Sequence, residues 1–165
     1  MTRLQTEIQR LYGTPSLEGN APVRAGVLEL ARPADWPRLA QVWQGVQADL
    51  GWPVPAIAVN GVDGYQLWFS LAQPLPPAEA HSLLGRLCQR YLGDIAPERL
   101  RLIAGDPPAI PRQVGADAWS AFVTSDLAAV FADTPWLDLP PGEDAQAELL
   151  GRLSSVPAKD LLALL

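Results

Sequence analysis

A chain of 165 residues with an apolar fraction of 48% and a charged fraction of 18% has the make-up of one globular domain with a real core, and is too short for two comfortable ones. Its net charge of −6 is carried by acids and by bases that are almost all Arg, with Lys159 the single lysine, scattered rather than clustered. That balance argues against generic electrostatic binding of nucleic acid, which needs cations to displace counterions from phosphates, and against an anionic membrane surface.

No apolar run reaches the length of a bilayer span. The opening MTRLQTEIQRLYG is polar and mixed in charge, without the apolar centre of a signal peptide. Cys88 is the one cysteine, so no internal disulfide can form, which fits a reducing, cytoplasmic setting.

In chain order, Thr2 to Tyr12 places Leu4, Ile8 and Leu11 at helical spacing. GTPSLEGNAP is a loop by composition. Val23 to Ala31 reads as a strand with apolar residues on both faces, Val23, Ala25 and Val27 against Leu28 and Leu30, the mark of a central position. A helix follows, with Asp35 as N-cap and Pro37 in the first turn. Its apolar stripe is Trp36, Leu39, Val42, Trp43, Val46 and Leu50, and Gly51 and Pro53 close it. Ala56 to Asn60 is a short strand, Asn60 to Gly64 a turn, and Tyr65 to Leu71 the returning arm. Pro74, Pro76 and Pro77 are expected to stop the sheet. A helix from Pro77 to Leu92 buries Ala80, Leu83, Leu84, Leu87, Cys88 and Tyr91, and Leu100 to Ala104 is another strand.

Strand, helix, strand, strand, helix, strand is the order of an α+β ferredoxin-like split βαβ fold, a four-stranded antiparallel sheet with both helices on one face. The expected organisation is an N-terminal helix and loop over 1–22, this core over 23–104, and an extension over 105–165. Within the extension GDPPAIPRQVGADA reads as a loop and Trp119 to Val123 as a fifth strand. A helical turn is expected at Asp126 to Ala132, and short helices at Ala145 to Leu153 and Ala158 to Leu164. The apolar end, Leu161 to Leu165, needs a place to be buried.

Chemistry-bearing sets are sparse. With one His, His81, and one Cys, zinc-ligand spacing cannot be built, and no cofactor is expected. His81 and Cys88 lie two turns apart on one helix, about 10 Å along its axis, too far for a nucleophile–base pair. Cys88 reads as a small buried apolar group. Glu29 stands inside an apolar strand, facing outward or buried against a partner such as Arg99 or Arg101; Arg24 falls on the opposite face. Asp63 and Asp106 read first as turn residues. In the third strand Tyr65, Leu67, Phe69 and Leu71 should face the two helices, leaving Gln66, Trp68 and Ser70 on the other face. A Trp there can stack on a base or sugar, or be covered by the chain's own tail; the length of residues 105–165 favours covering. Glu29, Gln66, Trp68 and Ser70 are the candidate ligand-binding residues, with no catalytic and no metal-binding set.

The run Asp63-Gly64-Tyr65-Gln66-Leu67-Trp68-Phe69-Ser70-Leu71-Ala72-Gln73-Pro74-Leu75 resembles the second motif of archaeo-eukaryotic-type primases and related plasmid replication primases. There a Gly-rich turn leads into a strand carrying a His, then apolar and aromatic residues and a Pro. The resemblance implies an RRM-like catalytic core with metal-binding acids on neighbouring strands. Gln66 stands where that His would be, Glu29 could answer to one acid of the first motif, and the strand Leu100 to Ala104 carries none, with Asp106 just beyond it. Two-metal phosphoryl transfer needs several converging carboxylates, so the resemblance implies a member without polymerase activity.

Three readings follow. The first is a non-catalytic module that binds another protein or a second copy of itself. The second is an inactive primase-like domain recognising a nucleotide or nucleic-acid end through Glu29, Gln66 and Trp68. The third is an enzyme using Glu29, Asp63 or Asp106 as acid–base groups. The sequence favours the first.

Overall fold

The computed structural model describes every residue except 15–17, 163 and 165. The chain is a mixed α+β fold built on one six-stranded antiparallel sheet, in the order β4-β1-β3-β2-β6-β5. Helix α1 (Arg3–Tyr12) precedes β1 (Val23–Ala31), α2 (Trp36–Ala48), β2 (Ala56–Val59), β3 (Gly64–Leu75), α3 (Pro77–Tyr91) and β4 (Leu100–Ala104). Then come β5 (Arg112–Gly115), β6 (Ala118–Val123), α4 (Glu143–Gly151) and α5 (Ala158–Leu161).

The expected four-stranded sheet is corrected to six strands. The expected fifth strand is β6, which pairs with β2 through Ile57 and Val123, Ala58 and Phe122, and Val59 and Ala121. The sixth, β5, lies inside the stretch read as a loop and pairs with β6. Four residues that follow Pro111 and end on Gly115 carry too little alternation to be read as a strand; only β6 makes them one. Helix α4 begins and ends two residues earlier than expected, α5 stops at Leu161 rather than Leu164, and the turn at Ala128–Phe131 is 3₁₀. Strand β3 runs through Pro74 to Leu75, where Val23 is its partner. Strand β2 ends opposite Trp68 and the bridge from Val156 reaches no further than Ser70 to Ala72, so at Pro74 β3 has a neighbouring strand on one side only and a missing N–H is tolerated.

Local signals set the element ends. Thr2 and Gln5 form a reciprocal capping box on α1. The Asp35 carboxylate accepts the Arg38 N–H at the start of α2. In the turn between β2 and β3 the Asn60 side-chain oxygen accepts N–H groups from Val62, Asp63 and Gly64. Gly64 is required by packing: a Cβ there would lie 2.5 Å from the Leu30 carbonyl oxygen.

The sheet is covered on both faces. On one face Leu28, Leu30, Tyr65, Leu67, Phe69 and Leu71 pack with Leu39, Val42 and Val46 of α2 and Leu83, Leu84 and Leu87 of α3. On the other, Ala25, Val27, Ala56, Ala58, Trp68 and Phe122 pack with Leu4, Leu11 and Tyr12 of α1 and Ala147 and Leu150 of α4. The end of the chain divides: Leu161 is buried, Leu164 packs partly against the core and Leu162 is exposed; Ala163 and Leu165 lie outside the described residues.

Two side chains fix how α4 docks. Arg10 donates to the carbonyls of Leu150 at 3.0 Å and Leu153 at 3.1 Å, tying α1 to the end of α4. The buried Gln146 amide accepts the Phe122 N–H and donates to the Phe122 carbonyl, both at 2.8 Å. Strand β5 pairs with β6 only from Ala118 to Ser120, so Gln146 takes the place of a strand beyond its end.

Candidate functional site

The strand registers place Arg101, Glu29, Gln66, Ala58 and Phe122 in one transverse row across β4, β1, β3, β2 and β6. Glu29 and Gln66 are therefore direct cross-strand neighbours on the face that carries Trp68 and Ser70. The alternation expected in β3 is the one observed.

A continuous hydrogen-bonded chain runs along this face. The Trp68 indole N–H donates to Gln66 Oε1 at 2.9 Å, and Gln66 Nε2 donates to Glu29 Oε1 at 2.9 Å. Asn60 Nδ2 donates to the same Glu29 oxygen at 3.1 Å and to Asp63 Oδ1 at 2.8 Å. Arg32 lies 3.5 Å from the other Asp63 oxygen, at the solvent end of the chain. The expectation of an arginine partner for Glu29 is corrected: its donors are two amides. Arg101 sits opposite Glu29 but is exposed and, among the described residues, forms no ion pair with it. Arg99 donates to the carbonyls of Ala31 and Pro33 instead. Amides serve a buried carboxylate well because they supply donors without a second charge to desolvate.

All four candidate ligand-binding residues are buried, with exposures of 7% for Glu29, 2% for Gln66, 2% for Trp68 and 6% for Ser70. The Trp68 ring is held edge-on by Tyr12 and Phe122, each at a centroid distance of 5.1 Å. The Ser70 hydroxyl donates to the Leu11 carbonyl at the end of α1 and is 2.6 Å from the Ser155 hydroxyl. The covering expected from the tail is shared between the two ends of the chain, α4 from one and α1 from the other. Periodicity marked α1 as a helix; its resting place was not legible.

The remaining candidates lie apart from this chain of amides. Asp106 and His81 are exposed. Cys88 is buried, and burial pushes its thiol up to about 11. Among the described residues no three His, Cys, Asp or Glu side chains are grouped so that they could hold a metal ion. No helix among them is long and apolar enough to cross a membrane.

Next to Trp68, between α1 and the loop over residues 105–111, is a cavity of about 670 Å³. Searches among protein-family models and among curated proteins found no match to this chain.

Proposed function

We propose that this chain is a non-catalytic interaction module with a ferredoxin-like split βαβ core, acting in the cytoplasm and pairing with a second copy of itself through edge strand β4. One observation carries the reading: Glu29, Gln66, Trp68 and Ser70, the side chains best suited to a ligand on the outer sheet face, are engaged with one another and with α1. What the sheet offers to a partner is its edges. The relative order β4-β1-β3-β2 of the first four strands supports the ferredoxin-like core.

The two edges differ. Strand β5 is short, exposed, preceded by Pro111 and shifted in register between Gln113 and Gly115, features that blunt an edge. Strand β4 contains no proline and carries a single charge, Arg101. The Gly105 N–H donates to the Ala25 carbonyl, so by the alternation of an antiparallel ladder residues 101 and 103 also turn toward β1. Leu100, Leu102 and Ala104 turn their backbone groups outward. A two-fold pairing centred on Leu102 sets Arg101 of one copy opposite Ile103 of the other, without opposing like charges.

Sedimentation velocity over a wide concentration range tests this. A five-residue edge buries little area, so the association should be concentration dependent. Ala104→Pro, which removes one outward N–H and leaves the bonds to β1, should shift the protein to monomer with its circular dichroism unchanged. A wild type that stays monomeric at every concentration, or a proline variant that associates equally, defeats the proposal. Addition of a nucleoside triphosphate with Mg²⁺ is expected to change nothing, because a base could reach Trp68 only if α1 left the sheet.

A further inference from the structure

Beyond Trp68, where β2 ends, the edge of β3 is taken by a segment from far along the chain. Val156 bridges Leu71 in parallel: its N–H donates to the Ser70 carbonyl at 2.8 Å, and the Ala72 N–H donates to its carbonyl at 3.0 Å. The pairing stops after one bridge, because the chain turns into α5 at Ala158. Two side chains of the body hold the same backbone further on. The Trp52 indole N–H donates to the Asp160 carbonyl at 2.9 Å, and the Arg86 guanidinium donates to the Leu164 carbonyl at 3.5 Å. The segment's own side chains enter the core at Val156, with 3% exposure, and at Leu161, with 5%, in the cluster that holds Trp52, Phe69 and Leu71.

Strand addition followed by apolar anchors is how a folded domain reads an extended peptide, with backbone bonds for affinity and side-chain seats for specificity. The attachment is by points. Between the anchors Ala158 and Lys159 are exposed, and α5 is a single turn, too short to hold itself as a helix. The segment joins α4 through the exposed Arg152 and Ser154. Its release breaks the bonds named above and uncovers Val156 and Leu161, while α1 to α4 stay on the sheet. An opening of that extent lies below global unfolding. Residues 155–164 carry Lys159 and Asp160 as their only charges, so a second such segment adds no net charge to a chain of −6.

We propose that residues 155–164 form a displaceable strap, and that the seat they vacate on β3 takes the same segment from a second copy of this chain. An exchanged strap remakes each bond of the resident one, so exchange is opposed mainly by the high effective concentration of the strap in its own chain. The seat is on β3, and the proposal does not depend on pairing through β4.

Two experiments test it. In native-state hydrogen exchange of the wild type, the Val156 and Ala72 amides report from opposite sides of one bridge. Both should exchange at least about tenfold faster than amides at the centre of β1, with a shared opening free energy. Exchange of both at the rate of the β1 centre overturns the proposal. The second experiment titrates a fluorescein-labelled peptide of residues 154–165 and reads fluorescence anisotropy. In full-length Val156→Asp/Leu161→Asp the resident strap cannot seat, so the peptide should bind saturably and at least about tenfold more tightly than to wild type, where the strap competes. Val156→Ala/Leu161→Ala, which buries no charge, should shift affinity in the same direction and replaces the first variant if that one loses its circular dichroism. A peptide carrying Val156→Asp and Leu161→Asp should not bind. Equal affinity for wild type and variant, no saturable binding to either variant, or equal binding of the two peptides defeats the idea. Adding Ala104→Pro should leave peptide affinity unchanged, so that failure at the β4 edge and failure at this seat are read separately.

Discussion

Gln66 Nε2 lies 2.9 Å from Glu29 Oε1 across the β1–β3 ladder, and both residues are almost wholly buried. The same Gln66 accepts the indole N–H of Trp68, so one amide serves two neighbours with opposite needs. Gln66→Leu would leave a buried donor and a buried carboxylate oxygen short of partners. It should destabilise the fold by about 2–4 kcal/mol in urea unfolding. Glu29→Leu removes the acceptor from the other side, and the double variant should recover part of the loss, with a coupling of about 0.5–3 kcal/mol. Additive losses would mean that the pair contributes nothing as a unit.

The seating of α1 depends on its last carbonyls. Arg24 donates to Arg10 and Ser70 donates to Leu11, while Arg10 reaches across to the end of α4. Arg24→Met keeps the stem and deletes the donors. It should cost about 1–3 kcal/mol and speed amide exchange across Arg3–Tyr12 more than in β1 or β3. Ser70→Ala should act in the same direction but more weakly, by about 1 kcal/mol. Exchange that rises uniformly over the whole chain would show that α1 and the sheet open as one unit.

These bonds also show where the sequence stops being legible. Strand β1, α2 and the two faces of β3 could be read because a period of two or of 3.6 and a nearby cap are local properties. The turn at residues 60–64 was legible for the same reason, since the Asn60 side chain satisfies its own neighbours. That α1 shares with the tail in covering Trp68 was not, because Arg24 to Leu71 and Ser70 to Leu11 join residues far apart in sequence. Charge was a poor guide to the partner of Glu29: arginines on the adjacent strand were expected, and two amides hold it. Strand β5 exists only as a partner of β6, so its residues carry no signal of their own.

Gly64 lies where β3 begins opposite Ala31. A Cβ at this position would come within 2.5 Å of the Leu30 carbonyl oxygen and 2.7 Å of Ala31 Cα, and backbone cannot swing aside as a side chain can. Gly64→Ala should cost at least about 1–3 kcal/mol in urea unfolding, because β1 and β3 must part locally. Gly85 is the control: it sits inside α3, and a Cβ added there would meet nothing within 4 Å. Gly85→Ala should stabilise by about 0.5–1 kcal/mol.

Cys88 ionises at about 11 in the folded chain because burial disfavours the thiolate. Unfolded, a cysteine ionises near about 8.5. Above that value the unfolded state loses its proton and the folded state does not, so this group's contribution to stability is present below about 8.5 and lost as pH rises toward 11. Thiol labelling should accordingly be slow at pH 8 in buffer and fast at the same pH in guanidinium, with one thiol titrated per chain. Equal rates in the two conditions would place Cys88 at the surface.

Gln146 offers the sharpest test of the C-terminal docking. Its amide meets both the N–H and the carbonyl of Phe122 at 2.8 Å, on the side of β6 where β5 has ended. Gln146→Leu keeps the approximate volume but strands one buried donor and one buried acceptor, each worth about 1–3 kcal/mol, so a loss of about 2–5 kcal/mol is expected. Gln146→Glu distinguishes satisfaction from mere polarity. Its carboxylate can still accept the Phe122 N–H, yet it sets a second oxygen against the Phe122 carbonyl, so it should be no better than Leu at neutral pH. On acidification the side chain can again donate, and the deficit of Gln146→Glu relative to wild type should shrink as pH falls through its raised carboxylate range. A glutamate variant as stable as wild type at pH 7 would mean that α4 is held by Ala147, Leu150 and Arg10 without help from the amide.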